Sequence, residues 1–178
     1  MDYSLSDGDI KFLTNGRCKI ETYDNIKGTS SIDELFGDTD CIALLYQLKS
    51  KNYGHWTALI RDRDNMIIYY FDPYGGILDD PINHVDPRIA KELHANHNYL
   101  ARLIEKDGYS CDYSDYPLQR LEDGINTCGR HVAARIIHND LTNDEYVNEF
   151  YEGKRAGSGS DEHARWFTDE AAKFLRSQ

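Results

Sequence analysis

Hydrophobic and polar positions follow two periods along this chain, and the change between them marks its elements. Cys41 to Gln47 is a short apolar run between Asp40 and Lys49, which predicts a strand buried on both faces. His55 to Ile60 predicts a second strand, and Ile67 to Phe71, rich in β-branched and aromatic residues, a third. The polar stretch Asp62 to Asn65 between these two reads as a hairpin turn. Asp72 to Gly76 ends the third strand, because Pro73 has no N–H and Gly75 and Gly76 admit positive φ. Asp86 and Pro87 then read as N-cap and first residue of a helix carrying Ile89 and Leu93. Leu100, Leu103 and Ile104 continue that helix or form another, and Tyr109 to Tyr113 predicts a short strand.

Leu118 to Asn126 is a polar connection. From Cys128 to Asn139 the helical period is clear in Val132, Ala133, Ile136 and Ile137. Thr142 and Glu145 make a capping box that opens a helix with Tyr146, Val147 and Phe150. Glu152 to Ser160, rich in Gly and Ser, predicts a mobile loop. Over residues 161–176, Ala164, Phe167, Ala171 and Phe174 share a face, which predicts an amphipathic terminal helix. Residues 1–40 carry turn chemistry at Asp7-Gly8, Asn15-Gly16 and Lys27-Gly28, and form a loose N-terminal segment. Its one helical signal is the capping box Ser31 to Glu34, which would bury Ile32, Leu35 and Phe36. No internal repeat is visible, so 1–178 reads as one domain.

Composition narrows the function classes. A net charge of −11 opposes a phosphate backbone, and no run of Lys and Arg exceeds Lys154-Arg155, so nucleic acid is not the expected partner. The longest apolar run, Cys41 to Tyr46, is far too short to span a bilayer. The opening residues Met1 to Asp7 have neither the basic nor the apolar part of a secretion signal, so an intracellular location is expected. The 4 cysteines contain no C-x-x-C pair, which removes zinc ribbons and thioredoxin-like motifs. No metal or cofactor is expected. An intracellular cysteine is ordinarily a buried, reduced thiol, so any chemistry at Cys128 has to come from its context.

That context is specific. Cys128 opens a helix, whose dipole and free N–H groups favour thiolate over thiol. Gly129 lets the backbone pack closely and leaves room for a substrate chain. A thiolate needs an imidazole to hold it ready and to protonate the leaving amine. His55, leaving a glycine turn to enter a strand, is the best candidate. Asp72, at the end of the neighbouring strand, is placed to accept a hydrogen bond from the second ring nitrogen. Gln119 can offer its amide to an oxyanion beside the N–H of Cys128. His131 and His138 lie on the Cys128 helix itself, where a base is awkwardly placed. They, His163 and the middle-segment His84, His94 and His97 read as solvated or core-satisfied. Each chosen residue alone has an ordinary explanation: a packed Cys-Gly, a core Trp56 beside a strand histidine, a turn, an unremarkable glutamine. Together, in the order His, Asp, Gln, Cys, they supply base, orienter, oxyanion donor and nucleophile of a cysteine protease.

Gly54-His55-Trp56, Tyr70 to Gly75, Leu118-Gln119 and Thr127 to His131 resemble the adenain and Ulp1-like superfamily of cysteine peptidases. The Phe71 to Gly75 turn and the Gly-Arg-His after Cys128 look most like the adenain-like maturation proteases of large DNA viruses, virophages and Polinton-type elements. The resemblance covers about residues 40 to 140 and implies an α+β fold: a papain-like core with a central mixed β-sheet flanked by helices and the nucleophile at a helix N-terminus. It implies His55 as base, Asp72 as orienter, Gln119 as oxyanion donor and Cys128 as nucleophile. Trp56 would wall a narrow groove that favours glycine before the cut. The implied partner is a protein substrate, either a viral structural protein or, as in deubiquitinases and SUMO-type proteases, a ubiquitin-like modifier. The implied location is host cytoplasm or nucleus, or the virion. An inactive binding module on the same scaffold is the contrasting class, and the intact set of four argues against it. Two departures stand out: Gln119 precedes Cys128 by 9 positions, about two more than in the adenoviral enzyme, and Thr127 replaces the Asp that deSUMOylases more often carry. The acidic chain argues against the DNA requirement of adenoviral proteases.

Overall fold

The computed structural model describes residues 4–50, 53–76, 78–79, 98–122 and 125–178. Strands β1 (Lys19–Thr22), β2 (Cys41–Ser50), β3 (Tyr53–Asp62), β4 (Ile67–Phe71) and β5 (Ser110–Tyr113) lie in sequence order in a 5-stranded sheet. The sheet is mixed: β1 runs parallel to β2, β2–β3–β4 are antiparallel neighbours, and β5 returns parallel to β4. The helices are α1 (Asp7–Leu13), α2 (Tyr23–Ile26), α3 (Ile32–Phe36), α4 (Tyr99–Lys106), α5 (Cys128–Ile137), α6 (Asn143–Tyr151) and α7 (Ser160–Arg176). The fold is therefore α+β.

Strand alternation explains the layers. Cys41, Ala43, Trp56, Ala58, Ile60 and Phe71 pack with Val132, Ala133 and Ile136 of α5 and with α1 and α6. The intervening Ile42, Leu44, Tyr46, Leu59, Ile68 and Tyr70 pack with α2, α3 and α4 on the other face. Both faces of β2 are covered, which is why its apolar run has no polar alternation.

Helix α5 is buried on every side, its polar Arg130, His131 and Arg135 included. Arg135 is fully enclosed and spends its guanidinium on Asn143 Oδ1 (3.1 Å) and on the carbonyls of His138 (3.0 Å) and Leu141 (2.9 Å). These bonds close the turn from α5 into α6. Arg135→Met is expected to cost roughly 3 kcal/mol, since it leaves buried acceptors unpaired; urea unfolding of the two proteins measures it.

The N-terminal segment holds more structure than its turn chemistry suggests. Ser6 Oγ caps the N–H of Asp9 while the Asp9 carboxylate takes the N–H of Ser6, and Ile10 and Leu13 of α1 enter the core. An Asp in the third position replaces the Glu or Gln of the usual signature. β1 gave no signal because its positions are all half-buried at the sheet edge. At α3 the capping box is only half closed: Ser31 accepts from Glu34 N–H (3.0 Å), but the Glu34 carboxylate binds Ser30. The box at Thr142 and Glu145 is complete. Leu118, placed by the sequence in a polar connection, is fully buried. The loop 152–160 is tied down, with Ala156 N–H donating to Pro117 O (3.0 Å) and Arg155 Nε to Tyr116 Oη (2.9 Å). The helix expected from Asp86 lies outside the described residues.

Candidate active site

β2 and β3 close tightly where His55 emerges. Tyr46 is its partner across the ladder, and a Cβ at Gly54 would stand 2.3 Å from the Tyr46 carbonyl oxygen. Only glycine fits there. Asp72 follows β4, and its Oδ1 accepts from His55 Nε2 at 2.7 Å and from the Tyr74 N–H at 2.8 Å. The Tyr74 ring stacks on the imidazole at 4.5 Å between centroids and 22° between planes. A carboxylate is an acceptor, so Nε2 carries the proton of that bond. Nδ1 is the nitrogen left for the other polar neighbour of the ring, the Cys128 sulfur. His55 and Asp72 are 4% and 3% exposed. Burial alone would lower the His55 pKa. The hydrogen bonds and charges of Asp72 and Cys128 outweigh it and raise the pKa from 6.5 to about 9.

Cys128 is the first residue of α5 and is 8% exposed. Thr127 precedes it as N-cap, but its hydroxyl does not cap the helix. The positive end of α5 is thus left to act on the sulfur and on whatever binds beside it. The space at Gly129 is filled by the chain itself: a Cβ there would lie 2.9 Å from Leu5 Cβ and 3.4 Å from Trp56 Cδ1. Gly129 makes room for Leu5 rather than for a substrate. Trp56 Nε1 donates to the Leu5 carbonyl at 3.1 Å. A groove of about 420 Å³ leads from Cys128 past Trp56 and Gly54, between Ser4–Asp7 and the edge strand β1.

Gln119 is framed by the Asp72 turn. The N–H groups of Leu118 and Gln119 both donate to Pro73 O at 2.9 Å, and Gly75 (φ 76°) approaches so closely that a Cβ would meet Pro117 N at 3.0 Å. The Gln119 side chain is buried, with Nε2 donating to Ile125 O at 3.4 Å and Oε1 without a hydrogen-bond partner among the described residues. No hydrogen bond among the described residues joins it to Cys128. His55 bonds Asp72 directly and has Cys128 as its other polar neighbour, whereas Gln119 shares their loop frame without a hydrogen bond to them among the described residues.

Of the other histidines, His131 is fully buried against Tyr151 and Asp161, His138 bonds the Ala134 carbonyl (2.8 Å), and His163 stacks on Trp166. His84, His94 and His97 lie outside the described residues. Tyr74 and Leu5 escaped the sequence reading. Tyr74 was discoverable as the residue that follows Asp72 and Pro73, while nothing local announces Leu5. Among the described residues no group of three His, Cys, Asp or Glu could hold a metal ion, and no helix is long and apolar enough to cross a membrane.

No family model matches the chain. In the central domain of Lpg1148 from Legionella pneumophila, a solved structure covers 99% of this chain and 100% of its own at 15% identity, with a TM-score of 0.51; it shares the fold. The Ulp1 protease domain solved in complex with Smt3, the yeast ortholog of SUMO, covers 97% of this chain and 77% of its own at 16% identity, with a TM-score of 0.46. The uncharacterized protein V9 of the Sputnik virophage is 30% identical over 134 residues, 75% of this chain and 75% of V9. At that identity and coverage, the chain belongs to the family of the virophage protein V9.

Proposed function

We propose that the chain is a cysteine endopeptidase, residues 1–178 forming one catalytic domain, that cleaves after glycine-containing sites and matures viral structural proteins. The observation that carries this is the His55 imidazole held between the Asp72 carboxylate and the Cys128 sulfur. The thiolate attacks the scissile carbonyl, and the N–H of Cys128 and the Gln119 amide, swung from the Ile125 carbonyl, receive the oxyanion. His55 gives its Nδ1 proton to the leaving amine, which departs and leaves a thioester. Water then attacks the thioester, His55 taking its proton, and the carboxylate product leaves the restored thiolate. Asp72 fixes the ring tautomer throughout. The preference for glycine comes from the resemblance to adenain-like enzymes, and the viral substrate from kinship with a virophage protein.

The test compares wild type with Cys128→Ala on a fluorogenic peptide ending in Gly-Gly-aminocoumarin and on ubiquitin and SUMO carrying a C-terminal electrophile. Peptide turnover by the wild type alone, without capture of either modifier, is the expected result. Capture of a modifier moves the substrate class to ubiquitin-like conjugates. Turnover by Cys128→Ala refutes the assignment of the nucleophile.

The raised His55 pKa sets a pH profile. The imidazolium that protonates the leaving group is lost as pH rises through about 9, so kcat/KM is expected to fall there. Iodoacetamide should alkylate Cys128 faster in wild type than in His55→Ala across the same pH series, because the imidazole holds the sulfur ready. Identical alkylation profiles would remove His55 as the partner of Cys128.

A further inference from the structure

We propose that Asp161 is a positioning residue that assembles the oxyanion hole, a role that rests on Cys128 and Gln119 acting as proposed above. Asp161 stands in the first turn of α7 and is 1% exposed. Its two oxygens reach both arms of the hole. Oδ1 accepts from the Thr127 hydroxyl at 2.5 Å and from His131 Nε2 at 3.0 Å. Oδ2 accepts from the Arg120 N–H at 3.1 Å and from Arg120 Nε at 3.3 Å. Thr127 immediately precedes Cys128, His131 lies one turn into the same helix, and Arg120 immediately follows Gln119. One buried carboxylate therefore ties the backbone that offers the Cys128 N–H to the backbone that carries the Gln119 amide. The neighbouring Ser160 hydroxyl reinforces the second arm by bonding the Leu118 carbonyl.

The Asp161 carboxylate accepts from every partner it has here. His131 Nε2 donates to Asp161; with a neutral ring Nδ1 then accepts from the Tyr151 hydroxyl at 2.5 Å, and Tyr151 accepts from Tyr146 at 3.3 Å. Burial pushes the Asp161 carboxyl up, but the His131 and Thr127 hydrogen bonds hold it below the ordinary carboxylate value, so it stays ionised. A second consequence concerns the helix end. Thr is a good N-cap residue, yet the Thr127 hydroxyl is drawn away from its own helix to Asp161.

The experiment measures hydrolysis of the Gly-Gly-aminocoumarin peptide and iodoacetamide alkylation for wild type, Asp161→Asn, Gln119→Ala and their double variant, with Thr127→Val and Thr127→Ser alongside. Alkylation makes no oxyanion, so it separates a hole defect from loss of the thiolate. Asp161→Asn is expected to lower kcat by about 10- to 100-fold, with KM and the alkylation rate within about threefold of wild type. Added to Gln119→Ala, it should cost less than the product of the two single effects, because both act on one hole. Thr127→Val should lower kcat and Thr127→Ser restore it, a comparison that stands even if Asp161→Asn does not fold. Wild-type kcat in Asp161→Asn or in Thr127→Val, or fully multiplicative effects with Gln119→Ala, would overturn the positioning role alone. Absence of both peptide turnover and modifier capture by wild type would overturn the protease assignment, and this role with it.

Discussion

Cys128→Ala is expected to abolish peptide-bond cleavage, by about 10⁶-fold if the site acts as a unit, while leaving the fold unchanged. The first half follows from chemistry: no other thiol can take over. Cys18 and Cys41 are buried in the core with pKa values raised by desolvation, and burial pushes the Cys111 thiol up to about 12. The second half follows from the place of Cys128 in the fold. It forms no disulfide, and its polar neighbour His55 keeps its bond to Asp72 when the sulfur is removed. Product formation and thermal unfolding of the variant, measured together, check both halves. An inactive but unfolded variant would say nothing of the nucleophile, and an active one would end its candidacy.

His55→Ala is expected to cost nearly as much activity, but with a different physical signature. Loss of the imidazole removes the base and the acid of the reaction, and in such units the single losses do not add: combined with Cys128→Ala it should cost no more than either alone. Unlike Cys128→Ala, it also strips a partner from a carboxylate that is 3% exposed. An unpaired buried charge destabilises by about 3–5 kcal/mol, offset here in part by the bond that Asp72 keeps with the Tyr74 N–H. A lower urea midpoint should therefore accompany the lost activity. His55→Gln, which can still donate to Asp72, should recover stability without recovering turnover. Equal stability of the alanine variant and wild type would mean that the Asp72 carboxylate is not held as the geometry implies.

The parts of this site that were legible in the sequence are those set by short-range chemistry. His55 leaves a glycine that the strand pairing demands, Asp72 ends a strand at a proline turn, and Cys128 opens a helix whose apolar spacing is regular. Each announces itself within a few residues. The strands β2, β3 and β4 were legible for the same reason, as was α6 with its complete capping box. The illegible parts depend on distant segments. β1 is recognisable only as an edge beside β2, and Leu5 matters only because Trp56 and Gly129 face it from 51 and more residues away. Asp161, read simply as the start of an amphipathic helix, meets Thr127, His131 and Arg120 through tertiary folding alone. Gln119 lies between the two cases: its position is framed by the Pro73 turn, but its amide points to Ile125, a choice no local pattern fixes.

The wall contributed by Ser4 and Leu5 gives this architecture an evolutionary latitude. The residues that would make and break bonds are seated on the sheet and on the fully buried α5, where most replacements are costly. The surface facing them across the groove belongs instead to a short stretch before α1, outside the sheet. Exchange of the exposed Ser4 would reshape what fits beside Cys128 while Leu5 stays seated on Trp56 and Gly129. Descendants of one ancestral chain could thus diverge in what they bind by changing exposed residues at the front of the molecule, with His55, Asp72 and Cys128 inherited intact.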